Sequence, residues 1–140
     1  MSFSIGTAAE KSGVKVPTIR YYEEIGMLPA PVRTPSNRRL YGASDIQRLA
    51  FIRHARELGF ELDAIRTLLD LQDNPAQPCA SADAIAKARL TEVQRRIASL
   101  KALEAELKHM VTGCAHGRVE SCRVIEVLAD HSECRFHGDH

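Results

Sequence analysis

Long apolar runs are missing from this 140-residue chain, and none exceeds a few residues, which excludes a transmembrane helix. The opening MSFSIGTAAEKSG has no basic segment followed by an apolar one. It does not read as a secretory signal, and a cytoplasmic location with no membrane partner is expected. The equipment of an enzyme is absent as well: no nucleophile–base pair, phosphate-cradling loop or catalytic zinc motif stands out. Cysteine is absent until Cys79 and then occurs at Cys114, Cys122 and Cys134. In a reducing compartment these four thiols read as ligands or reactive groups rather than as disulfides. Net charge is close to nil at +1, yet it is unevenly spread. Between Lys15 and Arg56 eight basic residues (Lys15, Arg20, Arg33, Arg38, Arg39, Arg48, Arg53, Arg56) face three acids (Glu23, Glu24, Asp45), a local balance of 8 − 3 = +5. All three tyrosines lie in the same window. Basic residues interleaved with tyrosines suit a nucleic-acid surface, and they equally fit a plainly solvated basic face.

Punctuation along the chain predicts a mainly α protein. Ser4 caps a short helix near 5–11 that Gly13 ends, and Pro17 fits the first position of a second helix that Gly26 stops. Two short helices joined by a glycine-containing turn are a helix-turn-helix signature. The next stretch, MLPAPVRTPSNRRLYG, has three prolines and cannot be helical. Its β-prone pieces at Pro31–Thr34 and Arg39–Tyr41 flank a Pro-Ser-Asn turn, so a small wing is expected, with Arg33, Asn37, Arg38 and Arg39 near its tip. A capping box of Ser44 and Gln47 opens a third helix with Ile46, Leu49, Ala50 and Ile52 on one face. A fourth turns Leu62, Ile65, Leu68, Leu69 and Leu71 inward. These elements define a winged helix-turn-helix domain over residues 1–75.

Residues 81–112 contain neither glycine nor proline, and Leu90, Val93, Ile97, Leu100, Leu103, Leu107 and Met110 form a narrow apolar stripe. Such a seam calls for a second copy of the same helix, the alternative being packing against the chain's own N-terminal domain. A dimerisation helix is therefore expected over 79–112, followed by a loop and short helix over 113–128 and a polar His/Cys tail over 129–140. The helix is about 48 Å long at 1.5 Å per residue, too far for Cys79 and Cys114 of one chain to share an ion. A parallel pair would set like against like. An antiparallel pair brings Cys79 of one chain to Cys114 and Cys122 of the other and creates two equivalent sites. The competing reading makes Cys79 a small buried apolar residue. Cys114 and Cys122 are separated by seven residues, which is not a zinc-finger spacing. His116 between them fits either a ligand or a polar loop residue.

The stretches SIGTAAEKSGVKVPTIRYYEEIGMLPAPVRTPSNRRLY and DIQRLAFIRHARELGFELDAIRTLL resemble the winged helix-turn-helix domain of MerR-family transcriptional regulators, most specifically through TIRYYE and ELGF. Cys79, the long helix and the Cys114/Cys122 loop resemble the metal-sensing branch of that family. The resemblance implies a homodimer joined by an antiparallel coiled coil, bound to a two-fold symmetric operator whose polymerase-recognition elements are spaced too far apart. The metal-free dimer would bend this DNA, and the metal-bound dimer would untwist its centre for RNA polymerase, a use of DNA deformability. It further implies that Thr18, Arg20 and Tyr21 face the major groove, that Arg38 and Tyr41 hold the flanking backbone, and that Arg53 adds a phosphate contact. Lys15, Arg33, Asn37 and Arg39 complete the DNA-facing set. Arg20 is the best base reader, since guanidinium pairs bidentately with guanine. Tyr22 reads as a core residue.

Three thiolates balance a divalent ion better than a monovalent one. Copper(I)-sensing relatives carry serine where this chain has Cys79. Mercury and lead sensors use three cysteines in this way. Zinc sensors follow the first loop cysteine with a second, where this chain has Ala115. The tail residues His131, Cys134, His137 and His140 have spacings suited to an accessory zinc or cadmium site, or to a metal-avid tail of no consequence. Histidine-bearing tails in cadmium-responsive relatives favour zinc, cadmium or lead over mercury. The expected function is a metal-responsive activator of an efflux or detoxification operon. The alternatives are a copper(I) sensor, or a thiol-based redox or electrophile sensor whose cysteines are activated by Arg118 and Arg123.

Overall fold

The computed structural model describes residues 1–112 and 123–129. The described elements run α1 (Ile5–Ser12), α2 (Val16–Glu24), β1 (Val32–Arg33), β2 (Arg39–Leu40), α3 (Ala43–Glu57), α4 (Leu62–Asp73), α5 (Ala80–Thr112) and α6 (Arg123–Ala129). They fall into two units, Met1–Ala86 and the residues from Lys87 onward.

In the first unit the helix ends follow local chemistry. Ser4 Oγ accepts the Thr7 N–H at 3.2 Å and starts α1. Gly13, at φ 75°, ends it in the left-handed region. Pro17 occupies the second rather than the first position of α2, where its missing N–H is still no loss, and Lys15 precedes the helix without a side-chain cap. The start of α3 differs from the Ser44–Gln47 expectation. Gly42 precedes the helix, and Asp45 Oδ2 accepts the Gly42 N–H at 2.9 Å. Ser44 lies inside the first turn. A carboxylate there is the stronger acceptor and also complements the partial positive charge of the helix N-terminus.

β1 and β2 pair antiparallel with Val32 opposite Leu40 and Arg33 opposite Arg39, forming the expected wing. Its turn is held by Thr34 Oγ1, which accepts the Arg38 N–H at 3.0 Å, and by Asn37 at φ 66°. A short bridge continues the sheet: Phe3 and Tyr41 exchange both backbone hydrogen bonds at 2.8 Å. The core gathers Ile19 and Tyr22 of α2, Leu49 and Ile52 of α3, Ile65 and Leu69 of α4, and Met27, Leu28 and Tyr41 from the connections. Arginines close the remaining helix end and loop: Arg66 donates to the Ile25 carbonyl, and Arg48 Nε donates to the Met27 carbonyl at 2.9 Å. No helix of the described residues is long and apolar enough to cross a membrane.

α5 is one uninterrupted helix of 33 residues. In the second unit its apolar stripe stands open: Leu100 is 64% exposed, Leu107 50% and Ile97 46%. Leu100, Leu103, Leu107 and Val111 line a shallow apolar groove of about 500 Å³. Met110 departs from the stripe. It is buried together with Glu106, one turn earlier, and Val127 of α6 is buried as well. The open seam continues through Val111, which is 67% exposed and lines the same groove as Leu107.

Candidate nucleic-acid interface and metal ligands

α2 presents the residues expected to meet DNA. Arg20 is exposed and Tyr21 47% exposed, while Tyr22, the next residue, is 7% exposed and packs in the core. Burial pushes the ionisation of Tyr22 above the ordinary tyrosine value, against the opposing charge of Arg56. Lys15 and Thr18 stand at the start of α2 beside a cleft of about 370 Å³ that Arg53 and Arg56 of α3 also line. Arg53 is held there by its Nε–H, which donates to the Ser12 carbonyl at 3.0 Å, and by Glu57 at 2.6 Å. The helix-turn-helix glycine makes room for this: a Cβ on Gly13 would lie 2.9 Å from Arg53 Nε. The structure thus brings Lys15, Thr18 and Arg53 around one basic recess, and it adds Arg56, which charge counting noted without assigning a role.

In the wing, Arg33, Asn37 and Arg38 are exposed at or beside the turn, and Arg33 Nη1 donates to the Asn37 carbonyl at 3.2 Å. Tyr41 is a correction. Instead of reaching the DNA backbone it is 1% exposed, and its hydroxyl donates to Glu23 Oε1 of α2. Pairing with Phe3 turns the ring inward, which leaves no hydroxyl for a phosphate. The second oxygen, Glu23 Oε2, accepts from Arg39 Nε at 3.0 Å. In the sequence Glu23 is one of three acids among eight bases and the last residue of TIRYYE, and neither signal shows its contacts with Arg39 and Tyr41, which lie 16 and 18 residues away.

Burial first, then the hydrogen bond to Glu23 and the charge of that carboxylate, push the ionisation of Tyr41 well above the usual tyrosine range. The folded-state value lies above the unfolded one of about 10, so the associated stability is complete below that pH and is lost as pH rises beyond it. Tyr41→Phe should therefore show a flatter decline of thermal midpoint than the parent above roughly pH 10. Parallel declines in a melting series from neutral pH upward would contradict this placement of the hydroxyl.

Of the expected metal ligands, Cys79 is described: its thiol is free and exposed, and its carbonyl accepts the Asp83 N–H at 2.9 Å as α5 begins. Cys114, His116, Cys122, His131, Cys134, His137 and His140 lie outside the described residues. Among the described residues no group of three metal-ligating side chains converges.

Comparison with known proteins settles the family. Residues 3–72 match the model described as the MerR HTH family regulatory protein, and residues 46–110 match the model described as MerR, DNA binding. The chain belongs to the MerR family. Among MerR relatives, it is 42% identical over 130 residues to the HTH-type transcriptional regulator ZntR of Escherichia coli, covering 90% of this chain and 92% of that one. It is 38% identical over 126 residues to the HTH-type transcriptional regulator HmrR of Sinorhizobium medicae, covering 90% and 86%. The transcription regulator PbrR691 from Ralstonia metallidurans, solved in complex with lead(II), superposes with a TM-score of 0.77 at 36% identity, covering 90% of this chain and 98% of that one. The MerR assignment makes the winged helix-turn-helix of the first unit a DNA-binding module and the protein a transcriptional regulator rather than a member of an enzyme class.

Proposed function

We propose that the chain is a metal-responsive activator that binds a two-fold symmetric operator as a homodimer and senses a divalent soft or borderline ion: zinc, cadmium or lead, with mercury as a further option. The observation that carries this reading is the placement of Cys79. Its free, exposed thiol stands at the start of a 33-residue helix whose other end leads to the Cys114/Cys122 loop. One chain cannot bring these together across that length. An antiparallel partner can, and the open seam of Ile97, Leu100 and Leu107 supplies the surface for one. The three thiolates of Cys79, Cys114 and Cys122 fit a divalent ion by charge and by softness, with His116 as a candidate fourth ligand and the His131, Cys134, His137 and His140 tail as an accessory set. A thiolate trio is also consistent with the lead(II) bound by PbrR691.

At the DNA, Thr18, Arg20 and Tyr21 enter the major groove, with Arg20 reading a base, while Lys15, Arg33, Asn37, Arg38, Arg39 and Arg53 hold phosphates and fix register. Closing a site across the dimer couples the loop at one end of each α5 to the domain at the other. That linkage shifts the operator between a bent and an untwisted form which RNA polymerase distinguishes. Transcription in vitro from the chain's own promoter, with zinc, cadmium, lead, mercury and copper(I) tried singly, tests this. Divalent ions should switch on the promoter and copper(I) should not. Activation by oxidants or electrophiles with no response to any metal would replace the reading with a thiol-reactive sensor.

A further inference from the structure

Glu23 places a negative charge on the recognition helix, on the very unit that must approach a polyanion. By charge alone, its removal should tighten DNA binding. Its surroundings point the other way. The carboxylate is only 10% exposed, and each oxygen has its own donor, both from β2 and the residue that follows it: the Tyr41 hydroxyl on Oε1 and Arg39 Nε on Oε2 at 3.0 Å. Arg39 and Tyr41 are two residues apart in an extended segment, so both side chains leave the same face, toward α2. Tyr41 is itself fixed, since its backbone exchanges two hydrogen bonds with Phe3. The phenol thus locks one oxygen of Glu23, and the other is left aimed at the wing arginine. Using Nε for this contact leaves the two Nη groups of Arg39 for phosphate oxygens, and its side chain remains 28% exposed. Arg20, one turn before Glu23, lies close enough for its charge to act on the Tyr41 hydroxyl. One carboxylate therefore joins the recognition helix, the wing arginine and the strand that carries it.

We propose that Glu23 is a positioning residue: it ties the recognition helix to the wing and presents the Arg39 guanidinium to the DNA backbone, so that neutralising this acid weakens operator binding. The inference rests on the DNA-binding reading of the first unit and adds a device by which α2 and the wing read DNA as one rigid body.

The test uses the full chain and a duplex that the unaltered chain selects from a random-sequence pool. Affinities are measured between about 50 and 200 mM salt for the parent, Glu23→Gln, Arg39→Ala and the double variant. Glu23→Gln should bind about tenfold more weakly, the scale of one charge-assisted contact. Its salt slope should fall by about one unit per half-site, as for a lost phosphate contact. In the Arg39→Ala background it should lose almost nothing further. Unchanged or tighter binding by Glu23→Gln would overturn the proposal, and so would a loss that simply adds to that of Arg39→Ala or one that leaves the salt slope intact. If Glu23→Gln fails to fold, Arg39→Lys decides: it keeps the charge but lacks the Nε–H and the planar fork, so it should bind no better than Arg39→Ala. Full rescue by lysine would show that orientation by Glu23 is irrelevant. A parent chain that selects no duplex would defeat the DNA-binding reading itself, whereas selection by the parent with any of the contrary results above would defeat only the role of Glu23.

Discussion

Replacing Leu100 with aspartate should convert the protein into a monomer that no longer holds its operator. Leu100 is the most exposed leucine of the α5 seam, flanked on the same face by Ile97, Leu103 and Leu107. An apolar stripe of this length on a free helix has no reason to stay in water. Covering one leucine contributes about 1.5–3 kcal/mol, and a two-fold interface counts it twice. Aspartate removes that term and sets an unpaired charge where the partner helix must close, a further cost. Dimer affinity should weaken by roughly 1000-fold or more. Operator binding should fall with it, because two half-sites joined by a dimer gain an effective concentration that separate domains lack. Sedimentation velocity at micromolar protein, with operator titration alongside, reads both effects. A variant that stays dimeric would place the dimer contact elsewhere and remove the basis for a shared metal site.

Much of the fold was legible because its signals are local. Ser4, Gly13, Pro17 and Gly26 mark helix ends through their own backbone preferences, and the Pro-Ser-Asn turn marks the wing. The gaps are all contacts between distant or competing groups. Ser44 has the right side chain for a cap, yet Asp45 reaches the Gly42 N–H and moves the helix start by two residues. Tyr41 reads as a wing residue facing DNA, and only its pairing with Phe3, near the other end of the domain, turns it inward to Glu23. Met110 fits the stripe by spacing, yet it is buried, as is Glu106 one turn earlier, which a stripe open along its whole length does not show. Arg20, Tyr21, Arg33, Asn37 and Arg38 are exposed, as the proposed DNA-facing role requires. For the metal site, the sequence supplies the ligand types and the distance between them. The proposed convergence needs two chains, which no single-chain pattern contains.

Cys114→Ser should abolish the metal response and leave operator binding intact. Serine keeps the shape but supplies a poorly ionised hydroxyl in place of a soft thiolate. Even the loss of a partner outside the ligand shell costs 10- to 100-fold in typical sites, so loss of a ligand should exceed about 100-fold in affinity. Cys79→Ser should do the same, although Cys79 precedes α5 in the chain and Cys114 follows it. Metal affinity of the parent should rise with pH, since binding displaces thiol protons. A buried, inert Cys79 would predict no effect of its replacement, and its exposure already argues against that alternative.

Mixing the two variants tests most directly whether each metal site is built from both chains. Cys79→Ser and Cys114→Ser homodimers should each bind no ion tightly. A heterodimer of the two, isolated by differential tags and titrated with cadmium under reducing conditions, should regain one tight site per dimer. That site takes Cys79 from one chain and Cys114 with Cys122 from the other. A heterodimer with no tight site, alongside a parent that binds two ions per dimer, would contradict the shared arrangement and return the ligands to a single chain.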